Sequence, residues 1–115
     1  MNVVDADGVP GFTDRNGVQL TSISADALVT TLRYLNTGST PENLLMLVGI
    51  YEPGGKLIRI KSIAGEVQGL AVKEFKLQID LPENSNGAYK NGYYAKVFLW
   101  DSATFVPVQA DHRFP

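Results

Sequence analysis

Apolar and polar residues alternate along most of this chain with a period of two, and the alternation breaks at clusters of Gly, Pro, Asn and Asp. Half-buried β-strands joined by turns produce that pattern. It is cleanest from Ala71 to Leu81. There Ala71, Phe75, Leu77, Ile79 and Leu81 share one face, while Val72, Glu74, Lys76, Gln78 and Asp80 share the other. Lys73 falls on the apolar face and is expected near its rim. Ala27 to Leu35 also reads as a strand, with Leu28, Thr30, Leu32 and Tyr34 opposite Val29, Thr31, Arg33 and Leu35. Its β-branched and aromatic content favours strand over helix.

Asn43 to Tyr51 is nearly continuous in apolar residues and short, which predicts a central strand covered on both faces. Pro53-Gly54-Gly55 reverses the chain, and Lys56 to Ile63 returns as its hairpin partner, with Arg59 and Lys61 on a face expected to meet solvent. Val18 to Ile23 predicts an early strand. Tyr93 to Trp100 predicts a late one, followed by a last strand from about Phe105 to Ala110. The tail, Asp111-His112-Arg113-Phe114-Pro115, shows no pattern. About seven strands with frequent turns and no convincing helix predict an all-β fold, an antiparallel β-sandwich of immunoglobulin-like or fibronectin-III-like type.

The ordered set Asn36-Thr37-Gly38, Gly49-Ile50-Tyr51 with Gly54-Gly55-Lys56-Leu57, Asp80-Leu81-Pro82, and Lys96-Val97-Phe98-Leu99-Trp100-Asp101-Ser102 with Pro107 covers most of the chain. It resembles an accessory module that recurs in secreted multidomain proteins of Clostridia, Paenibacillus and relatives. The resemblance implies a fibronectin-III-like or immunoglobulin-like sandwich beside other domains of an extracellular or cell-surface bacterial protein. It implies no catalytic residues.

At 115 residues the chain is long enough for one domain with its own core. Residues 1–17, rich in Asp, Gly and Pro, read as a linker or leading strand, and residues 18–115 as the sandwich. A net charge of −2 argues against nucleic acid as a partner, since phosphate contacts need a basic face. No apolar run approaches the roughly 20 residues that cross a bilayer as a helix, so no membrane insertion is expected. With no cysteine, disulfides and thiolate metal sites are excluded. The acidic, polar start does not read as a signal peptide.

Candidate chemistry is sparse. The single histidine, His112, has Asp111 and Ser102 nearby in sequence, but nothing around them resembles a nucleophile turn, and no catalytic role is expected. Asp80, Glu83 and Asp101 would suit a glycosidase only if two of them clustered at one end of the sandwich. Asp5, Asp7 and Asp14 form an incomplete set of calcium ligands, so no cofactor is expected beyond possible calcium in an adhesion-type module. Trp100, Tyr94 and Phe98 share a strand face with Lys96 and could form an aromatic strip for a polysaccharide. If Lys96 meets solvent, alternation turns Trp100 outward as well. The competing expectation, favoured because large aromatics stay mostly buried, folds Trp100 under the closing segment onto Pro107 or Phe105. The sequence therefore supports a non-catalytic spacer or interaction module whose partners are neighbouring domains of its own polypeptide. A carbohydrate-binding module is the alternative.

Overall fold

A computed structural model describes residues 8–23, 27–80 and 93–115. These residues form seven strands: β1 (Gly11–Thr13), β2 (Ala27–Leu35), β3 (Glu42–Tyr51), β4 (Leu57–Val67), β5 (Val72–Asp80), β6 (Tyr94–Asp101) and β7 (His112–Phe114). All pairings are antiparallel. One sheet has the order β1-β2-β5 and the other β4-β3-β6-β7. The fold is the expected all-β sandwich.

Alternation sets the core. Leu28 and Leu32 of β2 and Phe75, Leu77 and Ile79 of β5 face inward from the three-stranded sheet. Leu44, Met46, Val48 and Ile50 of β3 and Ala95, Val97 and Leu99 of β6 face inward from the four-stranded sheet. All are buried, and each large aliphatic or aromatic side chain removed from water contributes about 1.5–3 kcal/mol before chain entropy is subtracted. Lys73 lies on the inner face, as its parity requires, half-buried beside the Phe75 ring. Gly65 of β4 makes room for both, because a Cβ there would lie 2.5 Å from Lys73 Cε and 2.9 Å from the Phe75 ring.

Three elements differ from expectation, and one meets it in an unexpected place. β3 is central but covered by protein on one face only, since Leu45 and Leu47 on the other face are half-buried. Their apolar character answers instead to Trp100 and Phe98, their cross-strand partners on β6. Arg59 and Lys61 are exposed, as expected, but they pair with Ile50 and Val48 and so meet solvent from the inner side of the sheet. They overhang the core at an open edge, where Lys61 Nζ donates to the Gln78 carbonyl of β5 at 2.7 Å. Inward charge on an edge strand discourages pairing with other chains. Val18 to Ile23 makes only an isolated bridge, Gln19 with Thr13, and the early strand is β1, whose Phe12 is buried.

The last strand is likewise displaced. Between Phe105 and Ala110 only an isolated bridge forms, Pro107 with Trp100, in which Val108 N–H donates to the Leu99 carbonyl and the Val106 carbonyl accepts from Asp101 N–H. Pro107 is the non-hydrogen-bonded member of this bridge, so its missing N–H would face away from β6 and leaves the outer edge without a donor there. Pairing resumes at His112–Phe114, where Phe114 returns inward and stacks on Phe12 at 4.0 Å. Those two rings join the sheets at the β1–β7 side.

At one end of the sandwich, Asn36 follows β2. It is 1% exposed. Its Nδ2 donates to the carbonyls of Thr40 (2.7 Å) and Val67 (3.1 Å), and its Oδ1 accepts from Gly38 N–H (2.9 Å). One side chain thus fastens the end of β2 and the β2–β3 crossover between the sheets to the end of β4 in the four-stranded sheet. Gly69 completes this end, because a Cβ there would lie 2.5 Å from the Ser39 carbonyl oxygen.

Candidate binding face

β6 positions the residues with functional potential. Its inner side chains fix its register against β3, so Tyr94, Lys96, Phe98 and Trp100 all point to the outer face of the four-stranded sheet, beside Tyr51, Leu47 and Leu45. The aromatic strip is therefore real and faces outward. Within it the rings divide into two groups.

Tyr94 belongs to a closed stack. Its ring lies parallel to Tyr51, with centroids 5.1 Å apart, and the Arg113 guanidinium sits 3.9 Å from the Tyr94 centroid. Lys96 Nζ lies 5.5 Å from the Tyr51 centroid. Such cation–π contacts hold both cations over rings. Tyr94 is only 9% exposed, so its ring is occupied by protein rather than open to a ligand. Burial pushes the Tyr51 hydroxyl above the ordinary tyrosine value, with the neighbouring Tyr94 and Asp111 adding to the shift.

Phe98 and Trp100 form the second group. Their centroids are 5.6 Å apart and their planes are tilted by 54°. They make two walls of a cleft rather than one flat platform. Pro107, Gln109, Ala110 and Asp111 supply the opposite wall, and the enclosed volume is about 230 Å³. Trp100 is half-buried, so both expectations are partly met: the ring is on the outer face, and the closing segment lies alongside it at Pro107. Phe105 does not cover it. That ring is 62% exposed at the tip of the turn, on a backbone with φ of 57°.

Asp101 builds the turn. Its Oδ1 accepts from the N–H groups of Ala103 (2.9 Å) and Thr104 (3.0 Å), and its carbonyl accepts from Phe105 N–H (2.8 Å). Those backbone donors, Thr104 first, hold its carboxyl below the ordinary aspartate value. The Trp-Asp-Ser sequence therefore fixes the closing segment that walls the cleft. Gln109 Nε2 donates to the Gly8 carbonyl at 2.8 Å, which anchors the far side of the same segment.

Other candidates are placed apart. The His112 ring packs on Phe12 with centroids 6.0 Å apart. Ser102 Oγ donates to the Asn43 carbonyl at 3.1 Å. His112 pairs with Val97, five residues along the strand from Ser102, a span of about 16 Å, so the two do not form a nucleophile–base pair. Asp80 ends β5 opposite Ala27, whereas Asp101 ends β6 opposite Leu44. They lie at opposite ends of the sandwich, and Glu83 is outside the described residues. Of the calcium candidates, Asp5 and Asp7 are also outside the described residues. Asp14 Oδ1 accepts from Asn16 N–H (2.8 Å) and Val18 N–H (2.9 Å), which shapes the 14–18 turn. Among the described residues no three His, Asp or Glu side chains converge as metal ligands.

Sequence reasoning passed over Arg113 and the pairing that sets it beside Lys96. The alternation His112-Arg113-Phe114 was the available signal, too short to stand out from a polar tail.

No protein-family pattern matches the chain, and no curated protein matches it by sequence. Among solved structures, a Bacteroides uniformis β-glucuronidase matches with TM-score 0.66 and 16% identity over 94% of this chain. Bacteroides uniformis β-glucuronidase 2 covalently bound to cyclophellitol-6-carboxylate aziridine matches equally, with TM-score 0.66 and 16% identity over 94% of this chain. At that identity the likeness is one of fold. The chain spans 13% of the length of each of these larger proteins and is similar to one sandwich-sized part of them.

Proposed function

We propose that this chain is a non-catalytic spacer module of a larger extracellular or cell-surface bacterial protein, of the accessory type its sequence resembles. The observation that carries the reading is the path of the chain. β1 runs antiparallel to β2, so the backbone preceding Gly11 leads toward the Asn36 end, and Gly8 lies beside Gln109. β7 runs antiparallel to β6, so Phe114 lies opposite Ala95 and the chain leaves toward the Tyr51 end. A sandwich entered at one end and left at the other holds its neighbours apart by its own length. The match to 13% of two larger proteins fits a unit of that kind within a longer polypeptide.

Exchange of the module within its full polypeptide tests this. An unrelated sandwich of equal length, entered and left at opposite ends, is expected to preserve the neighbouring domains' activity, whereas deletion lowers it. A substitute that fails as completely as the deletion contradicts the spacer role.

A further inference from the structure

The cleft on the outer face and the cations beside it are not explained by a spacer role. Lys96 and Arg113 are direct cross-strand partners on the same face. Like charges placed directly opposite each other oppose strand pairing. Among the described residues the ion pair is Arg33 with Glu74, and neither Lys96 nor Arg113 has one. The two cations are instead held over Tyr51 and Tyr94, on a chain whose net charge is −2. Asp111, two residues from Arg113 on the same face, forms no ion pair with either cation, so the face keeps an excess of positive charge that is complementary to an anion.

The cleft adds a second requirement on that anion. Phe98 lies two residues from Lys96 on the same face, about 7 Å along the strand. Phe98 and Trp100 offer apolar ring surface, and the opposite wall offers polar groups at Gln109 and Asp111. The Gln109 amide is already oriented by its bond to Gly8, so its orientation is set before a ligand arrives. At about 230 Å³ the cleft is smaller than the roughly 300–1,000 Å³ of sites that enclose drug-sized ligands, and it suits one ring. A ligand with an apolar ring face, hydroxyls at its edge and a negative charge one ring-width away is an acidic sugar.

We propose that this face binds a uronate residue of an acidic polysaccharide. The pyranose stacks on Trp100 and Phe98, its hydroxyls reach Asp111 and Gln109, and its carboxylate lies against Lys96 and Arg113. The site is separate from the spacer reading, since a rigid spacer needs no ligand.

The test titrates the 115-residue chain with soluble polygalacturonate and, in parallel, with a neutral β-glucan. Calorimetry reads affinity, and the emission of Trp100, the chain's only tryptophan, reads contact. Saturable binding of the uronate polymer is expected, with a blue shift in emission and little response to the neutral glucan. Lys96→Gln is expected to weaken uronate binding roughly tenfold or more, as loss of a charge-assisted contact does. Trp100→Ala is expected to abolish it. Phe98→Leu keeps an apolar residue against Leu47 and is expected to weaken binding even if Trp100→Ala folds poorly. Failure to bind polygalacturonate, equal binding of both polymers, or uronate binding that survives both Lys96→Gln and Phe98→Leu would overturn the proposal. Uronate adsorption that leaves Trp100 emission unchanged also overturns it, because the cleft is then not engaged.

Discussion

Asn36→Ala is expected to destabilise the domain by about 2–4 kcal/mol, the range for stranding buried backbone groups that lose their hydrogen-bond partners. The side chain serves the carbonyls of Thr40 and Val67 and the N–H of Gly38 at once. The Val67 residue is itself only 1% exposed, so water cannot readily replace the lost donor. Denaturant unfolding should show a lower midpoint with an unchanged slope, and the thermal midpoint should fall by about 10–15 °C for a chain of this length. Asn36→Asp removes the two donated bonds and keeps the accepted one. It keeps an oxygen for Gly38 but aims a carboxylate at two carbonyl oxygens. That variant should be at least as unstable as the alanine variant near neutral pH. It should recover partly in acid, where the protonated carboxyl can donate. A loss below 1 kcal/mol in Asn36→Ala would mean that Asn36 does not fasten the two sheets.

Phe114→Ala is expected to cost about 3–5 kcal/mol, as truncating a buried phenylalanine does. Phe114 is 7% exposed, and its ring lies 4.0 Å from that of Phe12 at an interplanar angle of 18°. Removing it opens a cavity and leaves Phe12 without its partner from the other sheet. Hydrogen exchange should rise first in β1 and β7, which have only three paired residues each. Phe105→Ala is the matched control. That ring is 62% exposed, and its loss should change stability by no more than about 0.5 kcal/mol. Similar costs for the two substitutions would contradict the placement of the chain's end inside the sandwich.

The long strands were legible because their inner faces are uniformly apolar. β2 and β5 alternate in sequence as they do in space, and Leu28, Leu32, Phe75, Leu77 and Ile79 are all in the core. The short closing strands were not legible. Gly11–Thr13 and His112–Phe114 hold three residues each, too few for a period to show, and each is fixed by one phenylalanine whose partner lies about a hundred residues away. Arg59 and Lys61 meet solvent as their charge suggests, but on the inner side of the sheet, where β4 overhangs its partner and leaves that side open. The aromatic strip was legible as a face of β6. Its division into a closed Tyr51–Tyr94–Arg113 stack and an open Phe98–Trp100 cleft depends on strands that meet only in three dimensions.

On the spacer role proposed above, the sandwich separates whatever is attached to its two ends. Single-molecule energy transfer between fluorescent reporter domains fused before residue 1 and after residue 115 tests it most directly. β3, with ten residues, spans about 33 Å. A narrow distance distribution is expected, longer by about 30 Å than in a direct fusion of the reporters, that broadens only when the domain unfolds. A short separation, with both reporters at one end, would contradict it. So would a broad distribution in the folded state, like that of a flexible chain.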